Sequence, residues 1–145
     1  MDAQYQLAVM YALGQGVKQD YTKAELWWEK AAEQGHPRAQ FLVCNYFYMP
    51  GAMQDYKKAF YWCQKAAEQG ESPAQYALSA LYTMGQGVTQ DYKLAYIWAA
   101  IAAANGSTGA MNLRDSVAAE LTPSALGEAQ EEAGKMLKTI ESNKK

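Results

Sequence analysis

AQYQLAVMYALGQGVKQDYTKAELWWEKAAEQG, residues Ala3 to Gly35, decides the fold, because the chain writes it three times. The second writing, AQFLVCNYFYMPGAMQDYKKAFYWCQKAAEQG, runs from Ala39 to Gly70. The third, AQYALSALYTMGQGVTQDYKLAYIWAAIAAANG, runs from Ala74 to Gly106. The leading alanines stand 36 and then 35 residues apart. A fixed period of this length marks a stack of like units, each burying its apolar face against the next. The one-residue deletion falls at Pro50-Gly51, inside an expected loop, where a change of length costs least.

Each position in the period has a physical role. Ala3, Leu7, Met10 and Tyr11 recur at helical spacing and predict one apolar stripe on a first helix. Gly14-Gln15-Gly16 ends that helix, since glycine enters the left-handed region without a Cβ clash. The same turn returns as Gly85-Gln86-Gly87, and Gly51 keeps its second glycine. Asp20, Asp55 and Asp91 then stand where a carboxylate caps the free N–H groups of a second helix. That helix carries Ala24, Trp27, Trp28, Ala31 and Ala32, repeated as Ala59, Trp62, Cys63, Ala66 and Ala67, and as Ala95, Trp98, Ala99, Ala102 and Ala103. Gly35, Gly70 and Gly106 close it. Alanines let two backbones approach, and the tryptophan fills the space they leave. Burying one tryptophan removes about 150–250 Å² from water, an upper bound of roughly 4–6 kcal/mol.

After Gly106 the period breaks. Ala110 to Ala119 reads as the first helix of a fourth unit. Thr122 and Pro123 then start a new helix as N-cap and first residue. Leu126, Ala129, Ala133, Leu137 and Ile140 form its apolar stripe, with Glu128, Gln130, Glu131, Lys135 and Lys138 opposite. A one-sided terminal helix suits closure of an exposed core, with fraying expected after about Glu141. The chain is therefore read as one all-α domain over residues 1–145: units 3–38, 39–73 and 74–109, then a half-unit and cap over 110–141.

Composition narrows function. Half of the 145 residues are hydrophobic, and 19% are charged with a net charge of −2. Lysines are scattered among carboxylates, and only Lys144 and Lys145 cluster, so no basic face for nucleic acid is expected. No run of residues is long and apolar enough for a membrane span. Met1-Asp2 leads straight into a patterned segment, with no signal peptide, although a leader or further repeats can precede it in a longer chain. Cys44 and Cys63 fall one on each helix of the second unit. Two readings stand: two small buried apolar side chains, or a single bridge clamping that hairpin in an oxidising compartment.

The quoted segments resemble the Sel1-like repeat, a relative of the tetratricopeptide repeat. The signature runs almost complete through Met10–Gly35. Its loop is altered in the second unit, and its Lys and Glu are lost from the end of the third, within Ala100–Asn105. Asn112-Leu113-Arg114-Asp115, Leu121-Thr122-Pro123 and the following Ala/Glu-rich helix look like the capping region of bacterial members. The resemblance implies a right-handed α-α superhelix of antiparallel helix pairs with a concave face, and an adaptor role in signalling, envelope or host-interaction complexes. A secreted branch of the family linked to penicillin binding has a cysteine pair in every unit, a pattern absent here.

Catalytic material is sparse. His36, the one histidine, is read as a turn residue. The Gly-Gln-Gly turns lack the Lys-Ser/Thr and the preceding strand of a phosphate loop. Glu131-Glu132 lies on a polar face with no apolar pocket to shift a pKa. No metal set, cofactor motif or catalytic constellation is found, and the chain is read as a non-enzyme.

By the resemblance, first helices line the concave side. Their positions outside the core stripe are Tyr5, Val9, Ala12 and Leu13, then Phe41, Asn45, Tyr48 and Met49, then Tyr76, Ala80, Thr83 and Met84. Asn112 and Ser116 continue the column. Tyr5, Phe41 and Tyr76 form one aromatic rung per unit, read either as packing against the neighbouring helix or as a wall that grips a peptide. Asn45 and Tyr48 differ from their counterparts Val9 and Ala80, and Ala12 and Thr83. Residues that vary between like units are free of the fold, so these two are the expected central contacts. The primary expectation is a scaffold for a protein or peptide partner. The alternatives are a small-molecule or penicillin-recognising envelope protein and a segment of a longer repeat protein. Self-association through the exposed first unit is a further expectation.

Overall fold

A computed structural model describes residues 2–51 and 54–144. Among these there are eight helices and no strand: α1 (Asp2–Leu13), α2 (Tyr21–Glu33), α3 (Pro37–Tyr48), α4 (Tyr56–Glu68), α5 (Ser72–Met84), α6 (Tyr92–Ala104), α7 (Thr108–Ala118) and α8 (Pro123–Asn143). Of the terminal lysine pair, Lys145 lies outside the described residues. Each helix from α1 to α6 packs on the next, so the hairpins α1–α2, α3–α4 and α5–α6 stand in a row in chain order.

The caps form where the pattern places them. The Asp20, Asp55 and Asp91 carboxylates accept from N–H groups of Lys23, Lys58 and Leu94 at 3.1, 3.2 and 3.0 Å. His36 is more than a turn residue. Its Nδ1 accepts from Ala39 N–H at 3.2 Å, which makes it the N-cap of α3. Gly87 stands at φ +74°, and a Cβ there would overlap the Tyr56 carbonyl, so the third loop lies directly on the start of α4.

Two buried glutamines join the hairpins. Gln40 Nε2 donates to the Ala32 carbonyl, and Gln75 Nε2 to the Ala67 carbonyl, both at 3.1 Å. Each amide oxygen in turn accepts from the next second helix: Gln69 donates to Gln40 at 2.7 Å, and Asn105 to Gln75 at 3.2 Å. The second and third hairpins thus each satisfy an open carbonyl at the end of the one before.

Three details depart from the sequence reading. The stripe Ala3, Leu7, Met10, Tyr11 is buried as expected in its second and third copies apart from the half-buried Tyr46, but Ala3 and Met10 are exposed. No earlier hairpin covers them in the described residues; Ala8 and Ala12 carry the burial of α1 instead. Trp62 and Trp98 are buried while Trp27 and Trp28, at this open end, are half-buried. Cys44 and Cys63 are bridged, with Cα atoms 5.2 Å apart, which replaces the reading of two free thiols.

The terminal helix differs most. Thr122 caps α8 through Ala125 N–H, and Ala129, Ala133 and Ile140 are buried as the stripe requires. Yet α8 lies across α6 rather than closing the end beyond α7. Lys93, at the start of α6, meets Glu128 and Glu132 at 3.0 and 3.3 Å, and both carboxylates raise its pKa. Lys144 Nζ reaches the Gly70 carbonyl at the end of α4, so the helix stays ordered past Glu141. Being covered on this side explains the lost Lys of the third unit, whereas Ala104, at the place of the lost Glu, is exposed. Where Lys30 and Lys65 face solvent, Ile101 is 1% exposed beneath α8.

Candidate functional site

On the side of the first helices, α5 touches both α3 and α7. The spaces between these helices are set by the side chains outside the core stripe. Between α3 and α5 lies an open cavity of about 560 Å³. Phe41, Asn45, Tyr48 and Tyr76 line it together with Ser72 and the Gly106-Ser107 turn before α7. With Ala80, which also lines it, five of the positions selected from sequence therefore converge on one hollow. Its rim is neutral: hydroxyls and amides stand between aromatic faces. Cys44 forms part of its floor, and the bridge to Cys63 fixes α3 against α4 there.

Each rung of the aromatic column also packs on its neighbour. Tyr5 stacks on His36 with ring centroids 4.5 Å apart, and His36 Nε2 lies 3.1 Å from Asp2. Phe41 packs against the core cluster that includes Ala74 and Leu78 of α5, beneath the Arg38 guanidinium of its own helix at 5.4 Å. Tyr76, 40% exposed, rests against Gly109 of α7. Packing and groove lining thus coincide at Phe41 and Tyr76, whereas Tyr5 belongs to the first interface alone.

The other selected residues lie apart. Met49 is exposed at a second cavity of about 370 Å³ between α2 and α3, which Asn45 also borders with Tyr21, Trp28 and Tyr46. Leu13 and Met84 are exposed at helix ends. The Thr83 hydroxyl donates to the Ser79 carbonyl at 2.8 Å and is spent on its own helix. Val9 is half-buried, and Asn112 and Ser116 are exposed on α7 outside the main cavity. Ala12, assigned to the groove by spacing, is 7% exposed, because so small a side chain is covered by its neighbours. Ser72, Ser107 and Asn105 were missed. They come from turns and helix starts, which a reading of first-helix faces does not reach.

Among the described residues, Glu25 is the one carboxyl pushed far from its usual range, up to about 7, by burial first and then by its hydrogen bond to Glu29 and that group's charge. It lies in α2, away from the main cavity. No group of side chains among the described residues has the make-up of a metal site. No helix among them is long and apolar enough to cross a membrane.

The repeating unit matches the Sel1 repeat three times, at residues 2–36, 37–71 and 72–107. The chain belongs to the Sel1 repeat family. A Sel1 repeat protein from Oxalobacter formigenes, solved by crystallography, superposes with a TM-score of 0.73 at 35% identity, over 79% of this chain and 87% of that one. The crystal structure of c5321, described as a protective antigen of uropathogenic Escherichia coli strains with an SLR fold, superposes with a TM-score of 0.70 at 28% identity. That match covers 96% of this Sel1 chain and 38% of c5321, so the chain spans well under half of that relative. No curated protein matches in sequence. As in other Sel1 repeats, the fold is a helical solenoid, a framework commonly used to bind proteins.

Proposed function

We propose that this Sel1 protein is a non-enzymatic scaffold that holds an uncharged stretch of a partner protein in the groove between α3 and α5. The convergence of Phe41, Asn45, Tyr48 and Tyr76 on one cavity of about 560 Å³ carries this reading. Aromatic faces supply area, and the Asn45 amide supplies a donor and an acceptor to a peptide backbone. The Cys44–Cys63 bridge holds the groove floor and supports work in an oxidising compartment.

Panning a random peptide library on the intact chain tests the reading. Selected peptides are expected to shift the amide resonances of Asn45, Tyr48 and Tyr76. Asn45→Ala with Tyr48→Ala, shown by circular dichroism to keep its helices, is expected to weaken them at least tenfold. Ligands that map elsewhere, or an unchanged affinity, overturn it. A small molecule is the second reading, because the volume falls in the range of such sites. Covalent labelling of the intact chain by a fluorescent penicillin would favour it over the peptide.

A further inference from the structure

The outer side of the second hairpin carries an unfilled copy of the seat that α8 occupies on the third. The seat of α8 runs obliquely from Lys93, bound to Glu128 and Glu132, to Gly70, closed over by Ile140 and Lys144. Between these ends Ile97 and Ile101 are 0% and 1% exposed. One unit back, Lys57 stands where Lys93 does, Tyr61 for Ile97, Lys65 for Ile101 and Gly35 for Gly70. Tyr61 is 53% exposed, and among the described residues no carboxylate pairs with Lys57 or Lys65. A Cβ added to Gly70 would run into Lys144, whereas one added to Gly35 meets nothing within 4 Å. A hollow of about 220 Å³ lies there, lined by Glu33, Gly35, Gln40, Tyr61, Trp62 and Lys65, so that one carboxylate stands at the end of the seat away from Lys57.

We propose that this outer seat takes an amphipathic helix of a partner protein, with glutamates spaced like Glu128 and Glu132 beside an apolar stripe. The charge follows from Lys57 and Lys65, which offer two cations where α8 finds one. The helical form follows from the seat itself, whose repeat-related copy is filled by a helix in this structure. The exchange of Ile97 and Ile101 for Tyr61 and Lys65 adds a functional difference. Two buried isoleucines need permanent cover. A tyrosine with a lysine folded over its ring, 5.0 Å from the centroid, tolerates water when the seat is empty. The seat therefore fills and empties, while α8 stays. It is separate from the groove between α3 and α5 and does not depend on that reading.

A stapled, fluorescently labelled peptide with the sequence of residues 123–143 is the probe, added to the intact chain. Saturable binding is expected, with amide shifts at Gly35, Tyr61 and Lys65. Lys57→Glu with Lys65→Glu is expected to weaken binding at least tenfold, and a peptide with Glu128→Lys and Glu132→Lys to restore it. Tyr61→Ser, at an exposed site, serves as a second variant should the charge reversal perturb the fold. Absence of saturable binding, or an affinity unmoved by charge reversal, overturns the proposal. So do shifts confined to Ile97 and Ile101, which report exchange with α8, or to Phe41, Asn45 and Tyr76. A concentration-dependent dimer abolished by the charge reversal assigns the seat to a second copy and equally overturns it.

Discussion

Replacing Ile101 by lysine restores the residue that the first two units carry at that place, Lys30 and Lys65, and is expected to release α8. Ile101 is 1% exposed and shares one apolar cluster with Ile97, Ala129, Ala133 and Ile140. Taking a buried isoleucine out of that cluster costs about 1.5–3 kcal/mol. The ammonium adds a desolvation cost, relieved in part as the lysine stem reaches for water. A loss of about 3 kcal/mol lowers the docked-to-free ratio of α8 roughly a hundredfold. Freed α8 has no reason to stay folded, since Gly127 and Gly134 each weaken a lone helix by about 1 kcal/mol. Hydrogen exchange measured by mass spectrometry reads the outcome directly. Amides of residues 123–143 are expected to lose protection in Ile101→Lys, while those of α3 to α5 keep theirs, and Ile101→Met is expected to behave as the parent chain. Protection of α8 that is equal in Ile101→Lys and the parent would refute the claim that this side chain holds it.

Three further outcomes are expected. Trp62→Ala, at the centre of the second hairpin, should cost about 3–5 kcal/mol in urea denaturation; a loss below about 1 kcal/mol would show that the aromatic is not filling the space between alanines. Cys44→Ala with Cys63→Ala opens a loop of sequence separation 19 and should lower stability by roughly 3 kcal/mol, with dithiothreitol then having no further effect. Glu25 binds its proton more tightly folded, at about 7, than at its ordinary 4.5. Folding is therefore favoured as the pH falls through about 7, and the gain is complete below about 4.5. Glu25→Gln should flatten that rise between about pH 8 and about pH 5, and an unchanged slope in the variant would exclude Glu25 as its source.

The row of hairpins was legible because its determinants are local and repeat. Three aspartate caps, three closing glycines and the small residues at fixed offsets each act within a few residues of where they stand. The seat of α8 was not read, although its trace was in the sequence: Lys30 and Lys65 become Ile101, and Leu26 and Tyr61 become Ile97. A repeat that loses its solvent-facing lysine is gaining a cover. Gln40 and Gln75 were passed over for a similar reason. A polar residue beside a stripe looks like surface until the neighbouring helix end brings a carbonyl to it. For the groove, Phe41, Asn45 and Tyr48 converge because they share one face of α3, and Tyr76 joins them from the repeat-related position on α5, while Ser72 and Ser107 enter through helix starts and turns whose path no periodicity describes. Ala12 was misplaced because spacing gives direction and takes no account of size.

The bridge between α3 and α4 also gives the chain a mechanical middle. Pulled from its two ends, the first and third hairpins can pay out every residue, but the segment from Cys44 to Cys63 stays shut behind a link only 5.2 Å long between Cα atoms. The stretched length should fall short of that of the reduced chain by about 60 Å, the reach of 19 extended residues less the link. Force applied to this solenoid therefore unravels its flanks and leaves the floor of the groove intact.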